Sequence, residues 1–237
     1  MNEFNEKTHA YIAAKFYHYL KEQFGERGVA AFIHATQLYA QQRGSRMAQR
    51  AIRDGKPLNF ATYQEYGEWK PTQYAIDHDC TNLSVVEEWS PDLKTRILRC
   101  PWHDEFQQLG MQEAGDVYCQ YLDRSICRGF NPDITYEVTQ NLNSADSCIH
   151  VVHEAGFQDG ENHRRHEQYV KDFEYHCAHS FWTYAKVTSA IFLSDGGSVI
   201  QNVIDDFSND YSRGMLGRLM KYQNTDFNFC NCSEAIR

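Results

Sequence analysis

The chain has 237 residues, 42% of them hydrophobic and 14% aromatic, so it can bury a core and is not an intrinsically disordered protein. Its formal net charge of -9 gives a surface that repels phosphate backbones, and we expect no nucleic-acid partner. No apolar run approaches the roughly 20 residues of a membrane-spanning helix, and the polar stretch 1–7 is not a signal segment. We therefore expect a cytoplasmic protein without a membrane partner, whose eight cysteines are free thiols.

The N-terminal part of the chain is predicted to be mainly helical. Apolar residues recur at helical spacing over 12–24, and a second long helix is predicted over about 29–54. Residues 56–80 are irregular and rich in aromatic side chains. This segment either wraps the core or covers a pocket.

The middle of the chain has the alternation of polar and apolar residues that is typical of β-strands. Strands are predicted at 83–89 and 95–100, followed by helical sequence at about 103–127 with an interruption near a glycine. Two further strands, at 134–140 and Cys148–Val152, enclose turn residues. The order strand, strand, helix, strand, strand predicts a small four-stranded antiparallel sheet.

The C-terminal part is predicted to be helical over about 166–193 and again from near Gly197, before an irregular tail at 224–237. No linker or internal repeat divides the chain. We therefore predict a single α+β domain over 1–237, in which N- and C-terminal helices flank the sheet. Its parts are the helical segment 1–80, the sheet-containing core 81–155 and the helical segment 156–237.

Cys119 and Asp123 lie one turn apart on the predicted middle helix and share a face. A carboxylate tends to raise the pKa of a neighbouring thiol, so this pair alone does not produce a reactive thiolate. The pair suits a metal site, or a nucleophile assisted by a third group. Its structural alternative is a buried cysteine beside a surface aspartate.

The predicted hairpin supplies a second cluster. A four-residue loop at 141–144 would place Glu137 opposite Cys148, with His150 on the same face of the sheet. The three side chains would then converge on one surface, whereas a register slip of one residue would separate them. The alternative is a solvated sheet face that carries a single cysteine.

A third cluster is Asp172, His176 and His179, spaced by four and three residues in an otherwise apolar helical stretch. A carboxylate one turn from a histidine can orient the ring and raise its basicity, which suits a general base. We expect both histidines to point into a pocket near Cys119. The alternative is a pair of histidines at the edge of the core whose ring nitrogens are hydrogen-bonded to the backbone.

A basic stripe on the second predicted helix consists of Arg43, Arg46, Arg50 and Arg53. In an acidic protein such a stripe suits a substrate carboxylate, which a guanidinium binds through two hydrogen bonds. The alternative is ordinary surface charge. The sequence has no glycine-rich phosphate loop and no nucleophile elbow, so we expect no nucleotide or organic cofactor.

Six short segments together resemble the L-2-amino-thiazoline-4-carboxylate hydrolase family. They extend over most of the chain, and the resemblance is strongest between Cys100 and His179. The segments are QQRGSRMAQRA (41–51), CPW (100–102), YCQYLD (118–123), GFNPDITYE (129–137), DSC (146–148) and FEYHCAH (173–179).

This resemblance implies a hydrolase that opens a small cyclic amidine with a C–N/C–S ring. Water adds to the ring carbon between sulfur and nitrogen, and the sulfur leaves as a thiolate, giving an N-carbamoyl-cysteine. The substrate of such an enzyme is a small molecule whose carboxylate must be anchored. Arg46 and Arg50, inside the first matched segment, are the expected anchors.

The resemblance also implies a catalytic site made of cysteine, histidine and carboxylate side chains. Cys119 is expected to be a covalent nucleophile or the ligand of a metal that activates water. His176 or His179 is expected to be the general base and acid. The residues expected to take part in catalysis are Cys119, Asp123, Glu137, His176 and His179.

The sheet region also resembles the small-molecule-sensing domain related to four-vinyl reductases, which binds zinc through cysteines and a glutamate. Glu137 and Cys148 match two of those ligands, and Cys119 completes a rival metal site for a divalent metal such as zinc. Gln140 stands where a further cysteine is expected. The alternatives to hydrolysis are therefore a non-catalytic binding or sensing module, or an isomerase or lyase acting on a ring compound. Proteins of this general fold commonly dimerise, so a homodimer is also expected.

Overall fold

The computed structural model of this chain describes residues 3–230. Within that range no helix combines the length and the apolar character needed to cross a membrane. In chain order the elements are α1 (Glu6–Phe24), α2 (Glu26–Arg53), α3 (Phe60–Glu65), α4 (Gln73–Asp77), β1 (Leu83–Glu88), β2 (Leu93–Arg99), α5 (Pro101–Gln108), α6 (Gln112–Phe130), β3 (Tyr136–Gln140), β4 (Cys148–Val152), α7 (Phe173–Phe192), α8 (Gly196–Asp210) and α9 (Arg213–Met220).

The four strands form one antiparallel sheet in the order β1-β2-β4-β3. Two hairpins, β1–β2 and β3–β4, meet through the pairing of β2 with β4, and α5 and α6 connect them along the chain. The predicted α+β class and its small antiparallel sheet are therefore confirmed. Residues 224–230 contain no helix or strand, as predicted for the tail, and 231–237 lie outside the described residues.

Helix boundaries follow local chemistry. The predicted middle helix divides into α5 and α6 at Gly110, whose φ of +67° lies in the region that glycine adopts without strain. The helix α7 begins at Phe173 rather than near 166, because the side chain of Asp172 accepts a hydrogen bond from the Tyr175 amide at 2.8 Å. Asp172 is thus a helix cap, and the predicted pairing of this carboxylate with His176 is replaced by capping.

The register of the β3–β4 hairpin differs from the predicted one. Glu137 pairs with Val151, and Val138 pairs with His150, across a loop at 141–147 rather than 141–144. The partner of Glu137 moves from Cys148 to Val151, a shift of three residues. Because neighbouring residues of a strand face opposite sides, an odd shift places Glu137 on the face away from Cys148 and His150. The predicted convergence of these three side chains is therefore wrong.

Helices α2 and α6 approach each other closely because each contributes a glycine to the crossing. A Cβ atom on Gly44 would lie 1.9 Å from the carbonyl oxygen of Ile126, and one on Gly129 would lie 2.4 Å from that of Gln41. Both distances are far below any allowed contact, so the backbones themselves touch. The crossing fixes the distance between the arginine face of α2 and the Cys119 face of α6.

Two arginines of α2 are buried in an ion-pair cluster with Glu68, which follows α3. Arg46 donates to both carboxylate oxygens of Glu68, at 2.9 and 2.6 Å, and Arg50 donates to one of them at 2.6 Å. Glu68 is 0% exposed. Burial alone would raise the pKa of Glu68, but the guanidinium of Arg46, with that of Arg50, lowers it to about 2. Arg46 and Arg50 were expected to anchor a substrate carboxylate. In the structure both guanidiniums instead bind the carboxylate of Glu68 inside the protein.

The helical core lies where α1, α2, α7 and α8 pack together. Phe16 and Phe32 stack on Tyr184 with ring centroids 5.2 and 5.1 Å apart, and the hydroxyl of Tyr184 bonds Thr36 at 2.7 Å. Cys177, on the same helix as His176, is fully buried in this core. The core therefore packs α7 against α2.

The glycine contact between α2 and α6 gives the first prediction. Gly44→Ala should lower the free energy of unfolding by about 3 kcal/mol, because backbone atoms cannot move aside as a side chain does. The melting temperature should fall by roughly 6–12 °C in thermal unfolding. Gly217→Ala is the matched control, since nothing lies within 4 Å of its added Cβ in α9, and alanine should slightly stabilise this helix. Equal melting temperatures for the two variants would contradict the proposed close crossing.

The buried cluster gives the second prediction. Glu68→Gln should destabilise the fold by about 3–5 kcal/mol near pH 7, because two buried guanidiniums lose their carboxylate. The pKa of Glu68 is lowered by folding, so its contribution is complete above the unfolded pKa of about 4.3 and is lost as the pH falls toward about 2. The difference in free energy of unfolding between Glu68→Gln and wild type should therefore decrease over that acidic range.

Glu167→Gln serves as the control for this comparison. Glu167 pairs with Lys70 at 2.5 Å, but the two side chains are 72% and 54% exposed. An exposed pair contributes about 0–1 kcal/mol, so this variant should unfold close to wild type. Chemical denaturation at several pH values measures both effects, and a Glu68→Gln variant as stable as Glu167→Gln would disprove the role of the cluster.

Candidate active site

A cleft lies between the inner face of the sheet, helices α2, α5 and α6, and the first turn of α7. It has two connected parts. The first, which we call the thiol compartment, has a volume of about 90 Å³ and is lined by Cys100, Cys119, Cys148, His9 and His176 among others. The second, the polar compartment, has a volume of about 250 Å³ and is lined by Tyr63, Gln64, Thr95 and Arg165 among others. The shared wall consists of Arg43, Trp69, Asn82, Ile97, Asp123 and His150.

The strand and helix periods explain why these residues meet. Cys148 and His150 alternate on β4 and therefore face the same side of the sheet, while Cys119 and Asp123 are one turn apart on α6. Cys100 is the N-cap residue of α5, immediately after β2. Trp69 comes from the aromatic segment 56–80, which was predicted either to wrap the core or to cover a pocket. The segment does both, since Glu68 enters the core and Trp69 lines the cleft.

The three thiols of the cleft are held in their protonated form. Burial raises the pKa of Cys119 well above its ordinary value, and the neighbouring Cys100, Cys148 and Asp123 raise it further. Burial likewise raises the pKa of Cys100 to about 12. Cys119 Sγ accepts a hydrogen bond from Asn143 at 3.5 Å. A buried thiol of this kind is a weak nucleophile until a base removes its proton.

Glu137 does not reach this cleft. It lies on the outer face of the sheet, where a carboxylate oxygen is 3.3 Å from Nε2 of His153. The predicted metal set of Cys119, Glu137 and Cys148 is therefore not assembled. Over residues 3–230, no group of three or more histidine, cysteine or acidic side chains has the geometry of a metal site.

The two predicted catalytic histidines are separated by the structure. His176 lines the thiol compartment, and its Nε2 donates to the backbone oxygen of Glu68 at 3.1 Å. Its Nδ1 is buried and has no partner within the part of the chain that is described. Burial, with Arg43, lowers the pKa of His176 to about 3, so the ring is neutral. His179 is not part of the cleft wall: it bonds Gln42 at 2.7 Å and stacks on Phe227.

His150 and Asp123 are neighbours in the shared wall. The hydroxyl of Tyr136 lies 2.8 Å from Nδ1 of His150. Burial lowers the pKa of His150, and the carboxylate of Asp123 partly opposes this effect. The Asp123 carboxylate itself makes no hydrogen bond or ion pair with any residue from 3 to 230. From the sequence, His150 belonged only to the hairpin cluster, and its proximity to the α6 pair depends on the actual register.

His9 forms the rear wall of the thiol compartment and was not identified from the sequence. Nε1–H of Trp102, which can only donate, lies 3.0 Å from Nδ1 of His9, and Nε2 of His9 therefore donates to the Tyr39 hydroxyl at 2.9 Å. Burial lowers the pKa of His9 well below its ordinary value. The CPW segment, which contains Trp102, was the only sequence signal near this network.

Arg43 is the residue of the stripe that faces the cleft. It is 6% exposed and lines both compartments, with its guanidinium 5.7 Å from the ring centre of Tyr39. Its Nε has no hydrogen-bond partner, and no carboxylate among residues 3–230 forms an ion pair with it. Burial alone would lower the pKa of Arg43, but Tyr39 and Glu68 hold it above its ordinary value, so the charge persists. A buried, unpaired guanidinium that faces a cleft is suited to bind an anionic ligand.

Comparison with known proteins agrees with the sequence resemblance. A family model described as L-2-amino-thiazoline-4-carboxylic acid hydrolase matches residues 5–149, which is more than half of the chain. No curated protein and no solved structure matches. The matched region contains Arg43, Cys100, Cys119, Asp123 and Cys148, and it ends immediately before His150. The chain belongs to the L-2-amino-thiazoline-4-carboxylic acid hydrolase family.

Proposed function

We propose that this protein hydrolyses a small cyclic amidine that bears a carboxylate, of the thiazoline-carboxylate type, within the cleft. The observation that carries this proposal is the buried guanidinium of Arg43, which pairs with no carboxylate among residues 3–230 and faces the thiol compartment. The name of the family, a hydrolase of such a ring, supports the same reaction class.

Two charged groups define how the substrate binds in this proposal. Its carboxylate pairs with Arg43 through two hydrogen bonds, and burial makes such a pair strong. The amidine of the ring is a cation when protonated, and the carboxylate of Asp123, in the wall shared by both compartments, is its counter-ion. With one end on α2 and the other on α6, the ring carbon between sulfur and nitrogen is oriented inside the thiol compartment.

The attacking group in this mechanism is water, and His150 is its base. His150 is neutral near pH 7 because burial lowers its pKa. With Nδ1–H donating to the Tyr136 oxygen, Nε2 accepts a proton from water as the water oxygen bonds to the ring carbon. The C–S bond then breaks, its electron pair stays on sulfur, and the proton held by His150 passes to that sulfur. Because the bound ring already carries a proton on its nitrogen, the remaining hydroxyl proton leaves to solvent as the C=O bond forms, and a urea with a free thiol results.

Cys119 has a different role in this mechanism from the covalent attack expected from the sequence. The raised pKa of its thiol makes the thiolate costly to form, so direct attack by Cys119 is the less favourable route. Cys100, Cys119 and Cys148 instead provide a soft, weakly polar wall for the ring sulfur. A non-catalytic binding module would show substrate binding without turnover, and an isomerase or lyase would release no urea.

The first functional prediction concerns Arg43. Arg43→Met should lower kcat/KM for 2-amino-thiazoline-4-carboxylate by about 100-fold, roughly 2.7 kcal/mol, through loss of a charge-assisted hydrogen-bonded pair. The rate with 2-aminothiazoline, which lacks the carboxylate, should be the same for variant and wild type. The melting temperature should hold or rise, because the substitution removes an unpaired buried charge.

Arg124→Met is the matched control for this experiment. Arg124 lies next to Asp123 in sequence, but its guanidinium stacks over Tyr121 at 4.5 Å and does not line the cleft. It should keep wild-type kinetics on both rings. Equal losses on the two rings in Arg43→Met would show that the residue does not bind the carboxylate.

The second functional prediction separates water attack from covalent attack. Cys119→Ser should retain kcat within about tenfold of wild type, whereas His150→Asn should lose roughly 100- to 10,000-fold, the usual contribution of a general base. The wild-type kcat/KM should rise with pH through the pKa of His150, so its acid limb should lie below the ordinary value of about 6.5. A folded Cys119→Ser protein without activity, together with alkylation of Cys119 that substrate prevents, would establish the covalent route instead.

A further inference from the structure

The cleft does not end at the thiol compartment that accommodates the ring in our proposal. Beyond Arg43 and Asp123 it opens into the polar compartment, whose volume of about 250 Å³ exceeds the 90 Å³ of the first. A bare thiazoline-carboxylate would leave this second space to solvent. The size and the position of the polar compartment point to a longer substrate.

The walls of the polar compartment carry hydrogen-bonding groups that the protein leaves unused. Tyr63, Gln64 and Thr95 are half-buried there, and their side chains make no hydrogen bond to any residue between 3 and 230. Half-buried polar groups usually have partners, either in the protein, in water or in a ligand. These three side chains are suited to contact a polar chain that passes from Arg43 toward solvent.

A second arginine lies at the outer end of this compartment. The guanidinium of Arg165 lies 5.6 Å from the ring centre of Trp69, a cation–π contact that limits its motion. Gly67 provides the space for it, because a Cβ there would be 2.8 Å from Nε of Arg165. Arg165 lines the compartment and forms no ion pair with residues 3–230. In a protein of formal net charge -9, this cleft thus has two guanidiniums that pair with no carboxylate in the described part of the chain.

We propose that the substrate is a cyclic amidine with two anionic groups, one bound by Arg43 and the other by Arg165. The ring occupies the thiol compartment, and a polar chain on its exocyclic nitrogen crosses the polar compartment to a terminal carboxylate. Two like charges that face one cleft repel each other, and a dianionic ligand removes that repulsion. This inference rests on the proposed ring hydrolysis for the position of the ring, whereas the two anion sites are features of the cleft itself.

The kinetic test compares 2-amino-thiazoline-4-carboxylate with derivatives whose exocyclic nitrogen carries a carboxymethyl, carboxyethyl or carboxypropyl chain. For at least one chain length, wild-type kcat/KM should exceed that of the parent ring by tenfold or more, mainly through a lower KM. Arg165→Met should reduce this ratio to about one. Arg164→Met is the control, because Arg164 is exposed as Arg165 is but lies outside the cleft wall, and it should keep the wild-type ratio. A wild-type enzyme with no preference for any extended ring, or an Arg165→Met variant that keeps the preference, would overturn the proposal.

A binding test separates this inference from the proposed reaction. Thermal unfolding is measured with the linear dicarboxylates succinate, glutarate, adipate and pimelate, and with pentanoate as the monocarboxylate. At a concentration about tenfold above Kd, the best-fitting dicarboxylate should raise the wild-type melting temperature by about 3 °C. Arg43→Met and Arg165→Met should each abolish the difference between dicarboxylate and pentanoate, and Arg164→Met should not.

The two tests have distinguishable failures. If no ring compound is hydrolysed but dicarboxylates stabilise the protein through both arginines, the reaction is wrong and the pair of anion sites stands. If rings are hydrolysed but neither the extended rings nor the dicarboxylates are preferred, the second anion site is wrong and the reaction stands.

Discussion

The carboxylate of Glu68 determines which arginine of α2 is available to a ligand. Arg46 and Arg50 both bind it in the interior, where it stays ionised because the two guanidiniums outweigh the cost of its burial. The backbone oxygen of the same residue accepts Nε2–H of His176 and so orients that ring toward the thiol compartment. Arg43, one turn earlier on α2, has no such partner within residues 3–230. One buried acid therefore links the stability of the helical core to the charge of the cleft.

The protonation states of the cleft follow from burial more than from specific pairs. Burial lowers the pKa of His9, His150 and His176 and raises that of Cys119. The site thus combines neutral bases, protonated thiols and a guanidinium that stays charged. The burial of Arg43 in a cleft of low polarity strengthens any pairing between its guanidinium and an anion. This combination suits addition of water to a cationic ring better than it suits a preformed thiolate.

The sheet contributes to the site through its register. With Val138 opposite His150, the inner face presents Cys148 and His150 to α6, and Glu137 turns outward to His153. A longer hairpin loop, 141–147, causes this arrangement and also brings Asn143 to Cys119. The close glycine crossing of α2 and α6 then sets Arg43 across from these side chains. The close crossing of α2 and α6 therefore positions one wall of the site, and the register of the β3–β4 hairpin positions the other.

The sequence by itself determined the element types, the strand order along the chain and the family, and it identified Cys119, Asp123, Cys148 and His176 as candidate site residues. Those features are local, because they depend on periodicity, on turn residues and on short motifs. Only the tertiary structure decided which arginine faces the cleft, that Glu137 points away from it, and that His9 and His150 join it. These outcomes depend on a partner distant in the chain, such as Glu68 for Arg46, or on a loop length that shifts a strand by an odd number of residues. Local sequence patterns encode neither the distant partner nor the strand register, since the same periodicity is compatible with either face of a strand and with either pairing.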